Sequence, residues 1–559
     1  MKRLARDAFI RLVQLLRLEK QGLAVVVVYA LGIGLASLAA PIGVQMLVSA
    51  IAFGGLVQPI AVLSLLVLVA LIFAGALRAA QAWVVERIQQ RLFVRVAADL
   101  TSRLPRTSLS ALDEQHGPEL VNRFFDVLTL QKGASMLLLD GVFVALQVLV
   151  GGVLLALYHP ALLGFGAALL VALGIIMFGL GGSGTETSIK ESKAKYALVG
   201  WLEEIARHPT LFRGSGGEKF AVARGEALTR SYVEYRQTHF KVVFRQTIAF
   251  LALQATSTAA LLAIGGVLVL RGQLTLGQLV AAELIVTGVV GGFSKFGKYL
   301  ETYYDLISAM DKLGNLVDLP LEREGAGVIR REGGPIGIRL FDVAYAYHHH
   351  RLGLARTTLD LPPGSKVAIV GPNGSGKSTL IDILYGLREP TRGHVEVNGL
   401  PLRDLSLRIL RENIALVRGA AIFDGTILEN IQMSRPSITL ERVREALEAV
   451  GLWDEIASLP EGLDTHLTTD GDNLSSGHAQ RLAIARAIAG RPGCLLLDEA
   501  LDHLDPRSRR SILDAVLGPN VPWTAIVATH DPLVAEACSQ AVRVEERVLT
   551  QPSSAGAES

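Results

Sequence analysis

Three stretches toward the C-terminal end hold side chains whose types and spacing suit phosphate chemistry. GPNGSGKST, Gly371 to Thr379, follows the apolar run KVAIV. In such a strand-to-helix turn the backbone N–H groups of Gly371, Asn373, Gly374, Ser375 and Gly376 can cradle an anion, with Thr379 just behind them. Lys377 can reach the outer phosphates, and the Ser378 hydroxyl suits Mg²⁺. A chance glycine-rich turn seldom has the whole GxxxxGKS spacing in that setting. Further on, CLLLDEA places Asp498 and Glu499 at the end of another apolar run. An acidic pair there often only caps a helix. Behind a phosphate loop, Asp498 reads as a second Mg²⁺ ligand and Glu499 as the base that polarises a water. Between the two lies LSSGHAQR, Leu474 to Arg481. Alone, it is a serine-capped helix start.

Such side chains need rigid supports. From 338 to 550, short apolar runs such as KVAIV, CLLLD and TAIVA alternate with helical stretches, which predicts an α/β domain with a largely parallel sheet. Residues 320–337, PLEREGAGVIRREGGPIG, have the composition of a linker, and 551–559, QPSSAGAES, that of a disordered tail.

The first 319 residues differ in kind. Half of the chain's residues are hydrophobic (50%) and the mean hydropathy is +0.40, too apolar for a typical soluble enzyme. A net charge of +2 gives no bulk attraction to nucleic acid. No charged residue occurs from Gly22 to Leu77, roughly twice what one span needs, and Gly54, Gly55 and Pro59 mark a turn inside it. Further apolar tracts run from Gly141 to Thr185, broken at Tyr158 to Pro160, from Gln246 to Leu270, and from Gly272 to Ser294. The expectation is an all-α membrane domain of six helices in three hairpins. The long segments 78–132 and 186–245 are rich in Arg and Lys, which places them and both termini in the cytoplasm. They look helical, so the spans should continue beyond the bilayer. MKRLARDAFIRLVQLLRLEKQ reads as an interfacial helix feeding the first span.

The order phosphate loop, LSSGHAQR, CLLLDEA resembles that of ATP-binding cassette (ABC) proteins, and the chain as a whole resembles an ABC half-transporter. Its motifs are specific after 338 and architectural before it. The resemblance implies ATP with Mg²⁺. It makes LSSGHAQR the signature, with Ser475, Ser476, Gly477 and His478 closing over ATP held by a second cassette, and hence a dimer, homodimeric or heterodimeric. Tyr347, in FDVAYAY, matches the aromatic that stacks on adenine, with Tyr345 its rival. His530, in IVATHD, matches the switch histidine at the γ-phosphate, and Asp505, in DHLDP, the loop that spans the dimer.

Three positions depart from the family pattern LSGGQ and its glutamine loop. Ser476 replaces a glycine, His478 a glutamine, and Arg418, counted back from IFDGTILENI, the loop glutamine. A guanidinium has donors and no acceptor, so Arg418 cannot ligand Mg²⁺; it can bind phosphate or an acidic group on the membrane domain. His348, His349 and His350 read as a surface turn sooner than a metal site. Glu283, inside the sixth apolar span, is a functional candidate or the partner of a polar group on a neighbouring helix. Asp140, at a span boundary, is expected to be solvated. Cys494 and Cys538 are too few for a disulfide scaffold.

The implied function is an ATPase-driven exporter in a bacterial inner membrane, with motion carried by the loops around LDEQHGPELVNRF and RHPTLFRGSG. Its partners would be a second copy, membrane lipid, a transported substrate and a periplasmic adaptor, with no nucleic acid. GQLVAAELIV with KFGKYLETYYDLISAMDKL resembles peptide and protein secretion exporters, which leans the cargo toward peptides or other amphipathic molecules. The alternative is a nucleotide-gated channel or regulator that holds ATP with little hydrolysis, which Arg418 keeps open.

Overall fold

The computed structural model describes residues 2–52, 57–113, 122–327, 334–347, 352–471, 473–502, 504, 506–545 and 548–550. The turn at Gly54 and Gly55, the run His348 to His350, Asp505, most of LDEQHGPELVNRF and the tail 551–559 lie outside them. Two compact units divide at Pro320 and Leu321.

The first unit is helical. Five stretches are long and apolar enough to cross a membrane, Lys20–Ile51, Ile60–Arg106, Arg123–Tyr158, Pro160–Arg207 and Gly217–Leu270, and a shorter apolar stretch, Leu276–Val289, opens the helix Leu276–Val317. The chain is thus a multi-pass membrane protein. Gly217–Leu270 has 54 residues, about 80 Å of helix against a hydrocarbon core of about 30 Å, so it runs well past the bilayer. The breaks have local causes. His159 leaves helical geometry, its Nδ1 caps the Ala161 N–H at 3.1 Å, and Pro160 starts the next helix. Thr275 and Gln278 form a reciprocal capping box. Pro59, by contrast, sits in the first turn of Val57–Arg103. The N-terminal helix Lys2–Arg17 buries Ala8 and Leu12 against Leu92, Val127, Leu130, Leu306, Ile307, Met310 and Leu313. A π-helical turn, Ile175–Gly179, lies where Gln246 donates to the Ile176 and Met177 carbonyls at 3.4 Å.

The second unit holds two main sheets. The six-stranded one has the order 548–550, 540–545, 366–370, 524–529, 494–498, 414–418, parallel except for the hairpin of the first two. Its central strands are buried on both faces, which explains their continuous apolar runs. Strands 352–361, 338–346, 392–397 and 400–401 form an antiparallel sheet, a second layer that the alternation of apolar runs and helices did not announce.

The segment of linker composition is docked over much of its length. Arg411 forks onto Glu322 with two contacts of 2.7 Å, Gly327 donates to Asp404 O at 2.8 Å, and Ile336 to Gly493 O at 2.9 Å.

Candidate functional site

Parallel strands end together, and the side chains that follow them gather at one edge. After Lys366–Val370 the chain turns through Gly374 (φ 77°) and Gly376 (φ 111°) into the helix Lys377–Leu384. At Gly376 the backbone approaches so closely that a Cβ would stand 2.6 Å from Gly353 O. Only glycine meets both the left-handed geometry and the contact. Lys377 is 4% exposed, and its Nζ donates to Gly371 O at 2.8 Å and Pro372 O at 3.2 Å. The Ser375 hydroxyl is buried with no partner among the described residues. A buried donor left open in a loop of N–H groups fits an anionic guest.

The acidic strand arrives beside this loop. Ser378 Oγ donates to Asp498 Oδ1 at 3.1 Å, and Lys377 Nζ lies 3.8 Å from Glu499 Oε1. A hydroxyl and a carboxylate side by side are hard oxygen donors, the set that Mg²⁺ takes together with phosphate oxygens, so these residues fit that ion. Glu499 is held in the left-handed region (φ 54°), its N–H bonded to Ala528 O at 2.9 Å. Strain of this sort in a non-glycine residue belongs to sites where side-chain direction matters.

Around this centre the other anticipated residues are placed as follows. Tyr347 Oη lies 2.9 Å from Thr379 Oγ1, at the rim of the loop, with the Arg388 guanidinium over its ring. Tyr345 is buried, its hydroxyl accepting from Arg388 at 3.1 Å. His530 Nδ1 pairs with Asp502 Oδ2 at 2.9 Å, and its backbone N–H reaches the same carboxylate. Asp502 is one residue that sequence reasoning missed. Asp382 and Arg388 are two more, an ion pair of 2.9 Å with both side chains 6% exposed. An acid inside the apolar run of a phosphate-loop helix was the available signal.

The signature stretch stands apart on its own helix, Ser476–Ala489. Ser475 caps it, its Oγ accepting from His478 N–H at 3.2 Å. Ser476 is exposed, and Gly477 has open space where a Cβ would stand. His478 Nε2 turns to Glu455 at 3.0 Å.

Arg418 differs from what its position implied. Its acidic partners lie within its own unit: Nε donates to Asp498 Oδ2 at 2.7 Å, and Nη2 stands 2.7 Å from Asp382 Oδ1. Burial opposes the guanidinium's charge, but Asp382 and Asp498 outweigh it and push the pKa above its ordinary value.

In the membrane unit, Glu283 Oε1 accepts from Thr287 at 3.3 Å, while Oε2 is buried without a partner among the described residues. Asp140 pairs with Arg78 at 3.2 Å.

Comparison with known proteins matches both units. The family model described as ABC transporter transmembrane region covers residues 23–292, and that described as ABC transporter covers 354–502. The ATP-dependent lipid A-core flippase of Cupriavidus metallidurans is 32% identical over 353 residues, 61% of this chain and 58% of the flippase. The flippase of the same description from Burkholderia pseudomallei is 32% identical over 338 residues, 59% of this chain and 56% of its own. The chain therefore matches less than two thirds of the length of these relatives. A solved structure described as a bacterial Atm1-family ABC exporter with ATP bound shares the fold, with TM-score 0.83 at 22% identity over 95% of this chain and 94% of that one.

Proposed function

The chain belongs to the ABC transporter family, and on that premise we propose that it is an ATP-driven exporter. It works as a dimer in a bacterial inner membrane, with both termini in the cytoplasm. The observation that carries this reading is the convergence of Lys377, Ser378, Asp498 and Glu499 at the ends of the two parallel strands that flank 524–529.

The residues divide the work. The phosphate loop binds the polyphosphate through its N–H groups, with the Lys377 ammonium at the outer phosphates and Tyr347 against the base. Ser378 and Asp498 would hold Mg²⁺, which supplies neutralisation of phosphate charge. The Glu499 carboxylate accepts the proton of the attacking water. Asp502 fixes the His530 ring through Nδ1, so Nε2 is the nitrogen that meets the γ-phosphate. Ser475 and Gly477, at a helix N-terminus, close over the nucleotide of the second copy; by its motif, Asp505 matches the family's dimer-spanning loop. Hydrolysis separates the cassettes, and the long cytoplasmic helices carry that movement to the spans.

The cargo is amphipathic. The flippase relatives favour a lipid-like molecule, and the resemblance of the sixth-span region to secretion exporters favours a peptide. A periplasmic adaptor would accompany the peptide reading. The contact between Arg418 and Asp498 favours a second reading, a channel or regulator that holds ATP with little turnover.

The test is a paired-cysteine experiment in lipid nanodiscs, with Ser475→Cys and Asn373→Cys mixed between copies. Disulfide formation under an added mild oxidant that rises when ATP is present, and falls back in samples oxidised only after the ATP has been consumed, supports the exporter. Crosslinking that persists while ATP is not consumed supports the second reading. No crosslink under any condition would remove the dimeric cassette altogether.

A further inference from the structure

Both oxygens of the Asp498 carboxylate are engaged by the protein. Oδ1 accepts from Ser378 Oγ at 3.1 Å, and Oδ2 from Arg418 Nε at 2.7 Å. The same guanidinium lies 2.7 Å from Asp382 Oδ1, a contact without hydrogen-bond alignment, and donates to the Ser378 carbonyl at 3.3 Å. Asp498 and Asp382 are 6% and 4% exposed. Strand register explains the arrangement: Ile414–Arg418 and Cys494–Asp498 run parallel with Arg418 directly opposite Asp498. One arginine is thus shared by two buried carboxylates at the residue placed to hold the metal.

Charge balance shows what this does. Lys377, Arg388 and Arg418 face Asp382, Asp498 and Glu499, so the named cations and carboxylates cancel. With a neutral side chain at 418, one buried carboxylate would be uncompensated beside the polyphosphate. A divalent ion would then be required to bring ATP in. An arginine offers no lone pair, so it cannot assist an ion at Asp498; it can only stand in for the ion's charge or compete with it.

We propose that Arg418 is a built-in counter-cation of the nucleotide site, which lets this cassette bind ATP free of metal and weakens the site's hold on the divalent ion. The proposal rests on the ATP-binding reading above and concerns which ionic form of the nucleotide the site selects.

The experiment measures equilibrium binding of a fluorescent, non-hydrolysable β,γ-imido analogue of ATP to the full chain in nanodiscs, with Mg²⁺ or with EDTA. In the parent the two dissociation constants should agree within about threefold, since the site is already neutral. In Arg418→Gln, removing EDTA and supplying Mg²⁺ should tighten binding by about 10- to 100-fold, because one buried charge is then unbalanced. Arg418→Lys keeps the charge and should behave like the parent. As a second readout, Mn²⁺ binding to the analogue-loaded protein, followed by its paramagnetic resonance signal, should tighten by at least about tenfold in Arg418→Gln. Should that variant fail to fold, the parent alone decides. Parent binding lost by more than about tenfold in EDTA overturns the proposal while leaving ATP binding in place. Absence of binding both in Mg²⁺ and in EDTA overturns the ATP-binding reading and this proposal together. Equal metal dependence in parent and Arg418→Gln shows that the contact is only structural.

Discussion

Replacing Glu499 by glutamine separates binding from chemistry. The residue sits at φ 54° with its N–H on Ala528 O at 2.9 Å, a conformation that costs on the order of 1–3 kcal/mol. Glutamine has nearly the same shape, so it keeps the strain and the hydrogen bond. It loses the negative charge and the ability to accept a proton. Loss of a general base lowers the rate by about 10²–10⁴, which is about 3–5 kcal/mol of barrier. Binding should move the other way. Glu499 Oε1 is 3.8 Å from Lys377 Nζ, a pair worth about 4 kcal/mol at an effective dielectric of about 20. The carboxylate is 40% exposed, and solvent screening reduces that to about 1 kcal/mol or less. Freed of this pull, Lys377 should hold ATP equally well or up to about fivefold more tightly. The assay pairs phosphate release with equilibrium ATP binding on one nanodisc preparation. Hydrolysis at the parent rate would refute the role of Glu499, and a joint loss of binding and turnover would refute the separation of binding from chemistry.

Asn430 is fully buried, accepting from Phe423 N–H and Arg486 and donating to the Phe423 and Thr426 carbonyls. Asn430→Ala orphans several of these groups and should destabilise the nucleotide-binding unit by about 3 kcal/mol; hydrogen exchange localised to that unit checks it, and unchanged protection would contradict it. Glu283 has a buried oxygen without a partner among the described residues, so Glu283→Gln should alter cargo-stimulated ATPase more than basal ATPase, and Glu283→Leu should raise the melting temperature in detergent while abolishing stimulation. A lower melting temperature for Glu283→Leu would show that the carboxylate serves packing instead. Lys312 lies beyond the apolar part of its helix, and burial, only partly offset by Asp126, lowers its pKa from 10.5 to about 7, with Lys195 and Arg123 pushing the same way and Asp311 opposing. Because the folded value is the lower one, the unfolded chain binds the extra proton between about 7 and 10.5, and stability rises with pH across that window by up to about 1.4 kcal/mol per unit. Melting curves from pH 7 to 9 should show the rise, and Lys312→Met should flatten it; an equally steep rise in the variant would assign it to another group.

The parts of the site that lie in one local stretch were readable before any fold was known. Lys377 and Ser378 follow from the turn that Gly374 and Gly376 permit, and Asp498 and Glu499 from the end of a strand buried on both faces. The spans were readable too, because backbone groups in hydrocarbon must be satisfied within the helix and charges must be absent. Pairings that depend on strand order were not. The residues 321–327 have a linker's composition, yet Glu322 and Gly327 are bound to Arg411 and Asp404, far along the chain. Composition reports charge and cannot report its partner. Arg418 is the same case with a functional consequence. Its side-chain chemistry excluded it as a metal ligand, but the choice among phosphate, a membrane-domain acid and Asp498 turns on which strand lies beside Ile414–Arg418. Once that neighbour is Cys494–Asp498, the short reach from one strand end to the next favours the carboxylate, and Asp382 from the adjoining helix completes the grip. A residue at the position of the family's loop glutamine instead pairs with Asp498, the carboxylate proposed to hold the metal, and with Asp382. Metal dependence of binding, more than the rate of hydrolysis, is therefore the property in which this cassette should differ from one with glutamine at that position.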